Sequence, residues 1–204
     1  GDDYTLNGEK NWVTNGGSAN TYVVLMRTGP HKHKGITAFL VERGTPGFEI
    51  TKAEDKMGLK ASETRSLVFT DCRVSAAQRL GDEGQGFTVA MEGLDVGRIG
   101  IAAQALGIAQ GAYDAAVRYA KERVAFGRPI AEHQAIAFKL ADMQTRLAAA
   151  RPLTYRAAWL KDHGEGPLTR EASMAKLYAS EAATWIAHQC IQIHGGYGYV
   201  TDYP

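Results

Sequence analysis

The sequence has no apolar run approaching the ~20 residues that a membrane-spanning helix requires. Its opening stretch, GDDYTLNG, lacks the basic start and apolar stretch of a secretory signal peptide. An excess of one charge sign is also missing: 23 Lys and Arg stand against 22 Asp and Glu, a formal net charge of +1. That balance gives no electrostatic reason to expect nucleic acid or an anionic membrane as a partner. Cysteine is scarce. Cys72 and Cys190 lie far apart in dissimilar segments without metal-ligand spacing, so reduced structural thiols are expected. Internal repeats and low-complexity tracts are absent as well. What remains is the composition of a soluble globular chain, whose 204 residues suffice for one or two domains with real cores.

The texture changes near residue 80. Before it, β-branched and aromatic residues are punctuated by turn signals. Tyr4–Leu6, Asn7-Gly8 and Trp12–Thr14 read as a hairpin, because Asn-Gly supplies the positive φ angles of a type I′ turn. Tyr22–Met26 and Ile36–Val41 have strand length and flank the polar loop Gly29–Gly35. Phe48–Thr51 and Leu67–Phe69 follow, with Thr45-Pro46-Gly47 as a turn and Lys52–Lys56 as a charged surface loop. Several short strands at this spacing predict an antiparallel sandwich or barrel over residues 1–80.

After Gly86 the period becomes helical. Ile101, Ala105, Ile108 and Ala112 form one stripe, Ile136, Leu140, Met143 and Leu147 a second, and Met174, Leu177, Glu181 and Trp185 a third. Gly164–Pro167 reads as the link before the third helix, Thr169 as its N-cap, and Glu171 as a first-turn acid complementing the macrodipole. Pro152 interrupts the second pattern, crowding the Ala148 carbonyl, so a kink or break is expected there. Alanine-rich faces such as Ala102–Ala105 and Ala148–Ala150 suit close contact with further helices. The fold class predicted is α+β: a β domain over 1–80, then three long antiparallel helices over 81–204.

Five stretches carry chemistry. The end of the third helix runs into Gln192–Gly196 and onward as Gln-x-x-Gly-Gly-x-Gly-aromatic-x-x-Asp, whose glycines permit positive φ and close approach of a bound group. KNWVTNG (Lys10–Gly16) places Trp12, Val13 and Thr14 on a strand. LDVGRIG (Leu94–Gly100) puts Asp95 and Arg98 on one helix face. ERVAFGRPIAEHQAI (Glu122–Ile136) holds Arg123, Phe126 and Gln134, and MEGLDVGRIGIAAQALGIAQ spans Met91–Gln110. In chain order, Lys10–Gly16, Leu94–Gly100, Glu122–Ile136 and Gln192–Gly196 resemble the acyl-CoA dehydrogenases, and the longer run Met91–Gln110 resembles their short-chain, butyryl-CoA-like branch.

The resemblance implies an FAD enzyme that oxidises a short acyl-CoA to the trans-2-enoyl-CoA, with hydride transfer to the flavin. It assigns Trp12, Val13 and Thr14 to the flavin ring, where a hydroxyl donor near N5 steadies the reduced cofactor. It assigns Arg123 to the FAD diphosphate of a neighbouring subunit, a role suited to forked donors, with Phe126, Gln134 and His133 nearby. The backbone of Gln192, Ile193, His194, Gly195 and Gly196 would abut the adenosine half, and Asp95 and Arg98 would meet acyl-CoA. Some relatives carry their catalytic glutamate just before the arginine equivalent to Arg98, but here that position is Gly97, and Glu92 lies about 140° away around the helix. The base is therefore expected in a segment beyond Pro204, the chain being read as a fragment of a protein nearly twice as long.

Such a protein would be a homo-oligomer, a dimer of dimers, passing electrons to an electron-transferring flavoprotein. Its place would be the bacterial cytoplasm or the mitochondrial matrix. Two alternatives remain open: a catalytically silent flavin-binding or assembly module, and a related acyl-CoA oxidase or flavin monooxygenase. His31 and His33, alternating with Lys in a Gly-flanked loop, read as solvated residues and not as metal ligands. No role is assigned to His163 or His188.

Overall fold

A computed structural model describes residues 3–164 and 168–203; the expected link at 165–167 and Pro204 lie outside them. The chain divides into two compact units, Gly1–Glu92 and Gly93–Pro204.

The first unit holds two three-stranded antiparallel sheets. One runs β1 (Asp3–Thr14), β5 (Thr64–Ser75), β4 (Phe48–Ala53); the other runs β2 (Thr21–Arg27), β3 (Ile36–Glu42), β6 (Arg79–Leu80). Leu6, Phe48, Leu67, Phe69 and Val74 from the first sheet form one buried cluster with Tyr22, Val24, Phe39 and Val41 from the second. The sandwich closes as alternation predicts, each sheet offering one apolar face.

Asn7-Gly8 makes no hairpin. β1 is a single strand paired with β5 along its length, and the Leu6/Gly8 register shift marks a bulge opposite Asp71. Asp71 takes φ 48° and Gly8 φ 139°. The Asp71 N–H donates to Asn7 Oδ1 at 2.8 Å, and Asn7 Nδ2 donates to Asp71 Oδ1 at 3.1 Å. The chemistry that would build a turn is spent on accommodating one extra residue. Lys52 and Ala53, expected in a loop, end strand β4. His33 is exposed, as expected, and also stacks on Phe87 with centroids 4.3 Å apart.

The second unit is built on α1 (Gly86–Glu122), α2 (Gln134–His163) and α3 (Leu168–His194), with a two-stranded hairpin, β7 (Val124–Ala125) and β8 (Arg128–Pro129), between the first two helices. Thr169 bonds to Asp95 at the starts of α3 and α1, and His194 stacks on Tyr119 at their ends, so these two run parallel. Lys139 Nζ donates to Gln189 Oε1 at 2.7 Å, tying the start of α2 to the end of α3, so α2 runs against both.

The core of this unit is mostly alanine. Ala102, Ala105, Ala109, Ala116 and Ala120 of α1 meet Ala150 and Ala157 of α2 and Ala175, Ala179, Ala182 and Ala183 of α3, around Met143, Leu147 and Ile186. The second predicted stripe lies inward, with Met143 and Leu147 buried and Ile136 and Leu140 packed against the cluster. The other two lie only partly inward: Ala105 is buried and Ala112 and Trp185 pack against the cluster, but Ile101, Ile108, Met174 and Leu177 are exposed. Of the alanine faces expected to meet further helices, Ala102, Ala105 and Ala150 are buried within the unit, whereas Ala103, Ala148 and Ala149 are exposed. Thr169 is not an N-cap; it lies inside α3 and its hydroxyl turns to Asp95. Pro152 does not break α2, which is one helix from Gln134 to His163 and ends on Gly164 in the left-handed region.

Candidate functional site

Each unit presents a candidate site of its own. In the β unit the stretch Lys10–Gly16 ends strand β1, where the Lys10/Val13 register shift marks a second bulge. Trp12 sits in that bulge at φ 62° and is 72% exposed. A Trp is seldom found in the left-handed region, so the backbone here holds strain of the kind that re-aims a side chain. Asn11 Oδ1 accepts from Ser66 Oγ at 2.9 Å, fixing the strand beside it. Val13 packs against the sandwich core, Thr14 is exposed, and both line a cavity of about 400 Å³ that also reaches Tyr22, Val24 and Leu67.

In the helical unit the ends of α1 and α3 enclose a cleft of about 580 Å³. It is lined by Tyr119, Arg123, Ile130, Ile193, His194, Gly195, Gly196, Tyr197, Val200 and Asp202. His194 is buried, takes a hydrogen bond geometry of 2.8 Å between Nδ1 and the Cys190 carbonyl, and stacks on Tyr119 at 4.3 Å. Tyr203 meets both rings edge-on. The Arg123 guanidinium lies 6.0 Å from the Tyr197 ring centre, and the Arg123 backbone N–H donates to the Tyr119 carbonyl at 2.8 Å. Gly195 ends α3 at φ 59°. A Cβ on Gly198 would lie 2.6 Å from the Ile191 carbonyl oxygen, whereas one on Gly196 would meet nothing within 4 Å. One glycine is needed for a turn, one for packing, and one leaves backbone open to an approaching group.

Arg123, Ile193, His194, Gly195 and Gly196 are thus brought together. Phe126, Gln134 and Gln192 are not part of this cleft. Phe126 is 97% exposed at the tip of the β7–β8 hairpin at φ 53°, and Gln134 and Gln192 are exposed on α2 and α3. His133 braces that hairpin: its Nε2 lies 3.0 Å from the Ala125 carbonyl, which fits an Nε2–H donor, and Arg128 donates to Nδ1 at 3.3 Å. Tyr119, Tyr197 and Tyr203 were not singled out by sequence reasoning. Tyr119 does share a helical face with Ala112 and Ala116, and that spacing could have found it.

Asp95 and Arg98 form the ion pair their spacing predicts, one turn apart on α1, through Asp95 Oδ1 and Arg98 Nη1. Gly97 and Glu92 are both exposed, and a Cβ on Gly97 would meet nothing within 4 Å. Both thiols are free, and burial pushes each above the ordinary cysteine value, so neither is poised as a nucleophile. Among the described residues no cluster of His, Cys, Asp and Glu is arranged to hold a metal, and no helix is long and apolar enough to cross a membrane.

An open cleft with a guanidinium, free backbone and aromatic faces at paired helix ends has the donor set for a diphosphate and a flat ring system. A strained strand showing an exposed indole and hydroxyl has that for a redox-active ring. Comparison with known proteins shows the family. Residues 1–72 match the acyl-CoA dehydrogenase middle domain and residues 84–204 the acyl-CoA dehydrogenase C-terminal domain. The chain belongs to the acyl-CoA dehydrogenase family, whose members are FAD-dependent oxidoreductases.

It is 55% identical over 205 residues to the mitochondrial short-chain specific acyl-CoA dehydrogenase of Rattus norvegicus, covering 100% of this chain and 50% of that protein. It superposes on butyryl-CoA dehydrogenase from Megasphaera elsdenii with a TM-score of 0.95 at 52% identity, covering 99% of this chain and 53% of that one. A chain from the structure described as the electron transferring flavoprotein of Acidaminococcus fermentans matches with a TM-score of 0.95 at 53% identity, covering 100% and 54%. The chain spans about half the length of the curated relatives it matches.

Proposed function

We propose that this chain is the middle and C-terminal part of an FAD-dependent acyl-CoA dehydrogenase that converts a short acyl-CoA to the trans-2-enoyl-CoA. The observation carrying this reading is the cleft at the ends of α1 and α3, where Arg123 stands beside the open backbone of Gly195 and Gly196. When bound, FAD would supply the acceptor for the hydride leaving the β-carbon of the acyl chain.

This chain's own residues would bind and orient. Arg123 offers forked donors to the diphosphate, and Gly195 and Gly196 let backbone approach the adenosine half without a side chain between. His194, locked by Tyr119 and the Cys190 carbonyl, forms the floor; Ile193 contributes apolar lining. Trp12 would shield the ring from water, with the Thr14 hydroxyl as a donor toward it and Val13 anchoring the strand to the sandwich core. Phe126, Gln134 and Gln192, exposed outside the cleft, would serve a flavin shared with a second copy, so the working protein is a homo-oligomer. Arg98, with Asp95, would meet acyl-CoA. Gly97 leaves no carboxylate at the position immediately before Arg98, so the general base at Cα comes from another part of the protein. Electron-transferring flavoprotein is the expected acceptor, and the bacterial cytoplasm or mitochondrial matrix the expected place.

The test is anaerobic addition of butyryl-CoA to the full-length, FAD-loaded protein while the flavin band near ~450 nm is followed. Bleaching on the timescale of turnover is expected. A protein that retains FAD yet shows no bleaching with any short acyl-CoA would overturn the reading.

A further inference from the structure

The Asp95–Arg98 pair has a third member that sequence spacing did not suggest. Thr169, in the first turn of α3, donates from Oγ1 to Asp95 Oδ2 at 2.6 Å, while Arg98 Nη1 donates to Asp95 Oδ1. Each carboxylate oxygen therefore has its own donor, and the two donors come from different helices. The Asp95 side chain is 15% exposed and the Arg98 side chain 32%, so the carboxylate is the inner member and the guanidinium the outer one. An isolated i,i+3 pair on a helix surface is mobile and worth little, since both long side chains must be held in one geometry. A second, charge-assisted bond to the same carboxylate removes that freedom. Arg98 carries five N–H donors and spends one on Asp95, which leaves the rest of a planar fork facing outward.

We propose that Thr169 is a positioning residue for acyl-CoA: it pins Asp95, and Asp95 in turn holds the Arg98 guanidinium in one orientation toward the substrate. Asp95 then acts through Arg98 as well, each of its oxygens accepting one hydrogen bond from within the protein. The role rests on the reading above, that this face of α1 meets acyl-CoA. Small errors in the placement of a binding group are costly, and the supporting residue should show that cost in binding.

The test uses the full-length protein. Thr169→Val keeps the β-branched shape and removes the donor. The expected result is a rise in KM for butyryl-CoA of about 10- to 100-fold, the scale of a lost hydrogen bond to a charged group, with kcat and FAD content held. Thr169→Ser restores KM, and in an Arg98→Ala background Thr169→Val adds nothing further. If Arg98→Ala raises KM but Thr169→Val does not, the positioning role is overturned and the substrate face stands. A Thr169→Val loss that lowers kcat, FAD content and melting temperature together, or that persists undiminished beside Arg98→Ala, also overturns it, marking a mere tie between helices. If Arg98→Ala itself leaves KM unchanged, the substrate face is wrong and the positioning role falls with it.

Discussion

The β unit is held by bulk and the helical unit by its absence. Between the sheets, Phe39, Val41, Phe48 and Phe69 fill a layer that sheet packing keeps about 10 Å thick. Between the helices the buried positions are mostly alanine, and only Met143, Leu147 and Ile186 are both large and fully buried. A position in the first core is specified by the side chain that fills it. In the second it is specified by the side chain that stays out of the way. The two units should therefore respond to opposite kinds of substitution.

Phe39→Ala is expected to cost the most, about 3–5 kcal/mol, because it empties the centre of the sandwich. Urea unfolding followed by tryptophan fluorescence would measure it, and a loss under about 1 kcal/mol would mean that the sheets collapse onto the gap. Arg123→Ala is next. Losing a charge-assisted contact to a diphosphate costs about 1.5–3 kcal/mol, roughly ten- to a hundredfold in FAD affinity. Asp95→Ala should leave FAD binding unchanged and appear in substrate affinity; equal FAD loss in both variants would erase the division of roles. Ala175→Leu, a gain of atoms at a fully buried position of α3, should destabilise by about 1–3 kcal/mol through overpacking. Were it neutral, the alanine core would be loosely packed and the contrast between the units would lose its basis.

The smallest effect concerns pH. Arg170 hydrogen-bonds Glu171 at 2.7 Å and holds its carboxyl below the ordinary 4.5, with burial acting against it. A lowered folded value means the contribution is present above about pH 4.5 and is lost as pH falls through the folded pKa. The melting temperature of the native protein should exceed that of Glu171→Gln at neutral pH, the gap closing in acid. A gap that widens in acid would reverse the sign.

The same contrast explains what the sequence made legible. In the β unit, strands at Tyr22–Met26 and Ile36–Val41 were readable because large residues recur where the sheet buries them. The failure there was local: Asn7-Gly8 carries turn chemistry, and a bulge draws on the same positive φ and side-chain bonding. In the helical unit a search for large apolar residues finds Met143 and Leu147 on α2 but turns the stripes of α1 and α3 partly outward, since their buried faces are mostly alanine. At Pro152 the expected break does not occur: the residue is exposed within one continuous helix, and nothing in the flanking sequence marks that outcome. The site was legible as motifs that bring Arg123, His194, Gly195 and Gly196 together. The rings of Tyr119, Tyr197 and Tyr203 and the hydroxyl of Thr169 were not, because their partners lie on elements distant in sequence.

The alanine core also limits how this protein can vary over generations. A single-nucleotide change in an alanine codon yields serine, threonine, valine, proline, aspartate, glutamate or glycine. At Ala102, Ala116, Ala157 or Ala175, all of them fully enclosed, the first six add atoms, most of them polar or rigid, to a space already full. Glycine adds none but weakens a helix by about 1 kcal/mol. Phe39 or Val41 can be exchanged by single steps for other apolar residues, with neighbours shifting to compensate, so the sandwich has routes of neutral drift. The helical unit has few, and its inherited variation should collect on its outer face.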